Sequence, residues 1–167
     1  MFAVDHDYIS TMGMRIVAGR DFSRSFPSDP KRGFIINETA VKNFGFESPQ
    51  KAIGHALNWK QWGKDSLKIG EVIGVVRDFH FKSLREQVSP AVLTIHPDAY
   101  WKLTLRLESQ NLPETIAFLK STYERLDPEW PFTYKFVNEN FDAMYKSETK
   151  LSSLFGIFTA LAIAVAC

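Results

Sequence analysis

Residues capable of chemistry are present but do not assemble into a motif. A phosphate-binding loop follows G-x-x-x-x-G-K-[ST], because its backbone N–H groups and its lysine must converge on one anion. Gly63-Lys64 is the only Gly-Lys pair; Asp65 follows it, and Asn58 stands where the first glycine is required. ATP hydrolysis is therefore expected on a separate chain, if at all. His6, His55, His80 and His96 show no H-x-x-x-H or comparable spacing for holding a metal ion. Asp78-Phe79-His80 allows a base with an orienting carboxylate, or plain turn chemistry where a strand ends, and the second reading is preferred. No G-x-S-x-G elbow accompanies the serines. Asp5 and Asp7 read as a solvated face, and Asn37-Glu38-Thr39 fits the glycosylation triplet but falls at an expected helix cap. The single cysteine, Cys167, offers no internal disulfide or Cys-based metal site. The chain is accordingly read as a non-enzyme, with no catalytic residue, cofactor or metal.

Contact chemistry is better represented. Trp59, Trp62, Trp101 and Trp130 lie near expected loops or strand ends. Partial burial in the core is the plainer reading of these rings. The alternative is a partner-binding rim, since Trp is enriched at interface hot spots, and Trp59, Trp62 and Trp101 are its candidate contacts. The 167 residues are 45% hydrophobic and 23% charged, which are globular values. A net charge of +1 argues against nucleic acid as a partner, because phosphate binding needs a concentrated Lys/Arg face.

The elements that must position these residues alternate along the chain. Residues 7–12 read as a short helical turn stopped by Gly13, and Met14–Arg20 as a strand. Residues 21–33 read as a polar exposed loop. Phe34-Ile35-Ile36 is a compact apolar strand, with Asn37 capping a helix through Phe44 and Gly45 ending it. Ser48-Pro49 opens another short helix. Residues 55–69 suggest a hairpin turning around Gly63-Lys64-Asp65, with the return strand running from Lys68 to Val76. Ser83-Leu84-Arg85 suggests a turn and Ala91–Ile95 the next strand. Lys102–Leu107 alternates strictly, so Leu103, Leu105 and Leu107 are expected on one buried face. A helix from Asn111 to Pro128, with Ile116, Leu119, Tyr123 and Leu126 as its stripe, leads to a second alternating strand, Phe132–Val137. That strand–helix–strand order predicts a parallel, right-handed βαβ crossover.

After Asn138 a long helix is expected, with Phe141, Met144, Tyr145, Glu148, Leu151 and Leu154 at i, i+3, i+4 spacing. From Leu151 to Cys167 the run LSSLFGIFTALAIAVAC has no charge, Asn, Gln or Pro. A membrane span needs about 20 predominantly apolar residues, so this run reads as a span cut short by the end of the chain. The expected layout is an extracytoplasmic domain over residues 1–137, with subdomains of about 1–97 and 98–137. A stalk helix over 138–150 and a truncated transmembrane helix over 151–167 follow. The fold class is α+β: mixed sheets with at least one βαβ unit, then a long C-terminal helix entering the membrane.

Several stretches resemble one family. Val4-Asp5-His6-Asp7-Tyr8, Gly13-Met14 and Ala18-Gly19-Arg20-Asp21-Phe22 look like the opening of the second half of a MacB-like periplasmic core domain. Phe34–Val41 and Ala52-Ile53-Gly54 are similar to its middle, and Ile73–Leu84 resembles its most recognisable stretch. Phe141-Asp142, Tyr145, Glu148, Leu151, Phe155 and Phe158-Thr159 look like the approach to an FtsX-like permease span. The resemblance implies a fragment of an ABC transporter permease subunit of the mechanotransmission type, seated in a bacterial inner membrane with residues 1 to about 150 periplasmic. It also implies a cytoplasmic ABC ATPase partner, a second permease copy in a dimer, and a periplasmic or outer-membrane partner. Under it, Phe141, Met144, Tyr145, Glu148, Leu151 and Phe155 belong to the coupling stalk. The alternative is a single-span, membrane-anchored sensor or binding module.

Overall fold

The computed structural model describes residues 1–60, 67–80, 87–108 and 110–137, with the side chain of residue 60 left aside. The chain forms two compact units, Met1–Leu107 and Glu108–Cys167. The expected stalk and span, the turn around Gly63-Lys64-Asp65 and the turn at Ser83-Leu84-Arg85 lie outside the described residues.

The first unit is built on a mixed six-stranded sheet. Its strands are β1 (Phe2–Val4), β2 (Ile16–Gly19), β3 (Gly33–Asn37), β4 (Ala56–Lys60), β5 (Leu67–Val76) and β6 (Val92–Ile95). Their order is β1-β6-β3-β5-β2, with β4 also on β5. β1 runs parallel to β6 and β3 parallel to β5; β6 with β3, and β5 with both β2 and β4, are antiparallel. The apolar run Phe34-Ile35-Ile36 is buried on both faces, as a central strand requires. Alternation then sends Ile35 to one core with Val4, Phe22 and Leu93, and Phe34 and Ile36 to the other with Val41, Val72 and Val92. Burying each such side chain contributes about 1.5–3 kcal/mol. Along β5 the alternation slips once. Val72 and Val75 share one core while Ile73 and Val76 share the other, at the register shift where Phe34 faces Val72 but Ile35 faces Gly74. One extra residue in a strand produces this flip.

Short helices connect the strands: α1 (Tyr8–Met12), α2 (Asp29–Arg32), α3 (Glu38–Asn43) and α4 (Pro49–Ala52). Gly13 ends α1 at φ 66°, a left-handed conformation that glycine adopts without strain. Asn37 caps α3 by accepting from the Ala40 N–H, and Ser48 caps α4 by accepting from the Lys51 N–H, both as the sequence predicts.

Two expectations are corrected, and one strand is added. Residues 21–33 are not simply a polar exposed loop: they contain α2 and the buried Asp29, at 1% exposure. Phe2–Val4, to which the sequence pattern assigns no element, is a strand, because the start of the chain pairs with β6. The βαβ unit expected over 102–137 is absent among the described residues. Lys102–Leu107 carries no strand assignment; Leu103 is 85% and Leu105 48% exposed, while the Arg106 guanidinium donates to the Thr11 carbonyl at 2.8 Å. Arg106 on the polar side is thus anchored, while on the apolar side Leu103 and Leu105 are exposed and Leu107 is half-buried. Alternation specifies two faces, but a strand also needs a neighbour to complete its hydrogen-bond ladder. Parallel pairing occurs instead between β3 and β5, linked through α3, α4 and β4.

In the second unit α5 (Leu112–Leu126) has the expected span. Ile116, Leu119 and Tyr123 are half-buried, whereas Leu126 is 77% exposed. Phe132–Val137 forms no strand among the described residues; Phe132 meets Tyr134 at a tilt at 5.8 Å, Tyr134 meets Phe136 edge to face at 5.6 Å, and Tyr123 packs on Phe132 at 5.7 Å.

Candidate functional site

A dense polar junction lies at one end of the central strands, where β3 passes into α3 and β5 ends. The Thr39 N–H donates to Asp78 Oδ1 at 2.8 Å and the Thr39 hydroxyl to Asp78 Oδ2 at 2.7 Å. In return, the Asp78 N–H donates to Glu38 Oε2 at 3.0 Å. A carboxylate accepting at the first turn of a helix satisfies an otherwise orphaned N–H and opposes the helix dipole. Asn37 is fully buried beside it. Its Oδ1 accepts from Ala40 at 3.0 Å and from the Ala91 N–H at 2.8 Å, and its Nδ2 donates to the Ser89 carbonyl at 3.1 Å. Asn37 and Asp78 therefore bind together the ends of β3 and β5, the start of α3 and the approach to β6.

This geometry decides two readings. Asp78 spends both carboxylate oxygens on Thr39, so it acts as a helix cap and turn residue rather than as an orienting carboxylate for the exposed His80. Asn37 lies in the glycosylation triplet, but its amide nitrogen is buried and bonded, which closes it to modification in the folded chain. Beside the junction is an open groove of about 220 Å³, its wall including Glu38, Lys42, Glu47 and Asp78 with Val41 and Phe46. That is smaller than the pockets that enclose drug-sized ligands, about 300–1,000 Å³. Among the described residues no three His, Cys, Asp or Glu side chains converge as a metal site.

A second charged cluster lies around α2. Arg20 clasps Asp29 with two bonds of 2.7 Å, and the Ser23 N–H adds a third at 3.0 Å. Burial pushes the Asp29 carboxyl up, but the Arg20 and Ser23 hydrogen bonds outweigh it and leave the group below its ordinary value. The Arg20 guanidinium also lies 3.8 Å from the centre of the Phe26 ring. Nearby, Lys68 projects from β5 into the interior and is 7% exposed. Sequence reading missed both groups. For Lys68 a signal existed: it stands two and four residues before Gly70 and Val72, in phase with the strand face that they bury.

Of the aromatic candidates, Trp59 is half-buried, packed against the core that contains Phe34, and opposite Lys68 in the β4–β5 register. Trp101 is 90% exposed in the first unit and Trp130 67% exposed in the second. Trp62 and the stalk residues Phe141, Met144, Tyr145, Glu148, Leu151 and Phe155 lie outside the described residues. Among the described residues no helix is long and apolar enough to cross a membrane.

No family model matches this chain, and no curated protein does. Among solved structures, a domain assigned to a permease protein from Porphyromonas gingivalis is similar to it, with a TM-score of 0.49 and 16% identity over 82% of this chain and 69% of that one.

Proposed function

We propose that this chain is the extracytoplasmic domain of an ABC transporter permease subunit of the MacB-like, FtsX-like type. In such a subunit ATP-driven closure of a permease dimer is carried to the periplasmic face, to export or extract a substrate or to regulate a periplasmic partner. One observation carries the reading. Two of the stretches that resemble the family, Phe34–Val41 and the Ile73–His80 part of Ile73–Leu84, are far apart in sequence. They meet as adjacent parallel strands and close on each other through Thr39, Glu38 and Asp78. Residues that resemble a family because they build one junction are a fold-level signature, whereas a chance likeness has no reason to converge.

The mechanism assigns the work to rigid parts. A displacement entering along a helix is transmitted when neither Gly nor Pro lets that helix bend, and 139–155 contains neither. Hydrolysis belongs to the partner ATPase. The test uses the full-length protein reconstituted in nanodiscs with a candidate ABC ATPase subunit from the same organism. A non-hydrolysable ATP analogue should change the distance between spin labels placed on the two copies at exposed Lys51. Glu148→Pro or Lys150→Pro should abolish that change while ATP hydrolysis continues. Failure of the protein to associate with any ATPase would favour the sensor reading, and persistence of the distance change in both proline variants would remove the lever.

A further inference from the structure

Lys68 breaks the pattern of its own strand. Leu67 and Ile69 face solvent at 57% and 63% exposure while the lysine between them is buried. Its ammonium donates to the Pro30 carbonyl at 2.9 Å, the Gly33 carbonyl at 3.3 Å and the Thr94 hydroxyl at 2.5 Å. Three protons thus meet three acceptors, and none of the three is an anion. Of the elements packed around it, α2 brings Asp29, already clasped by Arg20, while Lys31 and Arg32 of α2 are exposed. β3 brings the Phe34 ring, 4.9 Å from Nζ, β6 brings Thr94, and β4 places Trp59 opposite. None of those three titrates near neutrality. The neighbouring Gly70 lets α2 approach, since a Cβ there would run into the Arg32 carbonyl.

We propose that Lys68 and Thr94 form a proton-responsive pin that seats α2 and the Asp29–Gly33 turn on the sheet, opening more readily while Lys68 is protonated and locking when it is not. A buried ammonium without a bonded anion is disfavoured relative to its neutral form. Here burial lowers the group to about 8, with Asp29 opposing only in part. The site suits the neutral amine as well. A hydroxyl can donate or accept, so Thr94 can turn its proton toward the Nζ lone pair while the two remaining N–H groups stay on Pro30 and Gly33. The released proton goes to solvent.

The sign follows from linkage. In the opened segment Lys68 is hydrated and titrates near the ordinary value of about 10.4. Between about 8 and 10.4 the open form binds more protons than the closed one, so raising the pH closes the segment. The opening equilibrium should be flat below pH 8 and fall by up to about tenfold per pH unit above it.

Two measurements on the full 167-residue chain test this. Side-chain NMR of ¹³C-labelled lysines should show one Cε resonance, lost in Lys68→Met, titrating near pH 8. Millisecond hydrogen exchange at the Lys31 and Arg32 amides, both bonded to the Ser28 carbonyl, should give a corrected opening equilibrium that falls above pH 8. In Lys68→Met it should be independent of pH. Ordinary titration of every lysine, or the same pH profile in wild type and Lys68→Met, would overturn the proposal. If the variant does not fold, through-bond correlations assign the Lys68 Cε resonance in the wild type, and a wild-type exchange profile that stays flat above pH 8 overturns the proposal.

Discussion

Asp78 grips Thr39 twice, one carboxylate oxygen on the backbone N–H and the other on the hydroxyl, across 39 residues of sequence. The grip joins the end of β5 to the first turn of α3, which places Asp78 where a carboxylate is most useful to a short helix. α3 spans only Glu38–Asn43, so it has little stability of its own and depends on such caps.

Removing this cap should be measurable and graded. Asp78→Ala should lower stability by about 1 kcal/mol, and Asp78→Asn by less, because an amide oxygen still accepts from the Thr39 N–H. Denaturant unfolding of the two variants beside wild type checks the order; equal losses would show that the charge, not the acceptor, is what matters.

Asn37 is more deeply committed. Asn37→Ala removes an acceptor shared by Ala40 and Ala91 and the donor to Ser89 at a fully buried position. Each buried group left without a partner costs about 1–3 kcal/mol, so this variant should be the less stable of the two alanine substitutions. Thermal unfolding compared with Asp78→Ala gives the ranking.

The Asp29 pair has a pH signature. Its folded carboxyl lies below the ordinary value, with the hydrogen bonds from Arg20 and Ser23 outweighing burial. A depressed carboxylate contributes stability that is present above the unfolded value of about 3.9 and lost as pH falls through the folded one. Stability should therefore drop on acidification below about pH 4, with a shallower drop in Asp29→Asn. At neutral pH that variant should be less stable by about 2 kcal/mol, because the bidentate clasp on Arg20 is broken. Urea midpoints for both proteins between neutral pH and pH 2 test the slope and the offset together.

The two described tryptophans among the contact candidates should separate cleanly. Trp101→Ser should change domain stability by less than about 0.5 kcal/mol, since the ring is 90% exposed. Trp59→Ser should cost about 2 kcal/mol, since its ring packs against the core cluster that contains Phe34. A large loss at position 101 would mean that its ring is covered in solution.

Local chemistry was legible in the sequence. The caps Asn37 and Ser48, the stop at Gly13, the hairpin strands β4 and β5, the central apolar β3 and the α5 helix were all readable, because each depends on residues within a few positions of one another. Asp78 was also placed correctly as turn chemistry, although its partner was not identified. The tertiary structure alone decided the pairings. Thr39 and Asp78, Lys68 and Thr94, and Arg20 and Asp29 meet only after the sheet has formed, and hydrogen bonds between distant positions leave no periodicity to read. The same reason explains the main error. Leu103, Leu105 and Leu107 alternate as a buried strand would, but alternation states only that two faces differ. Whether either face is buried is set by what the fold offers, and here Leu103 and Leu105 stay exposed while Arg106, itself exposed, bonds the Thr11 carbonyl.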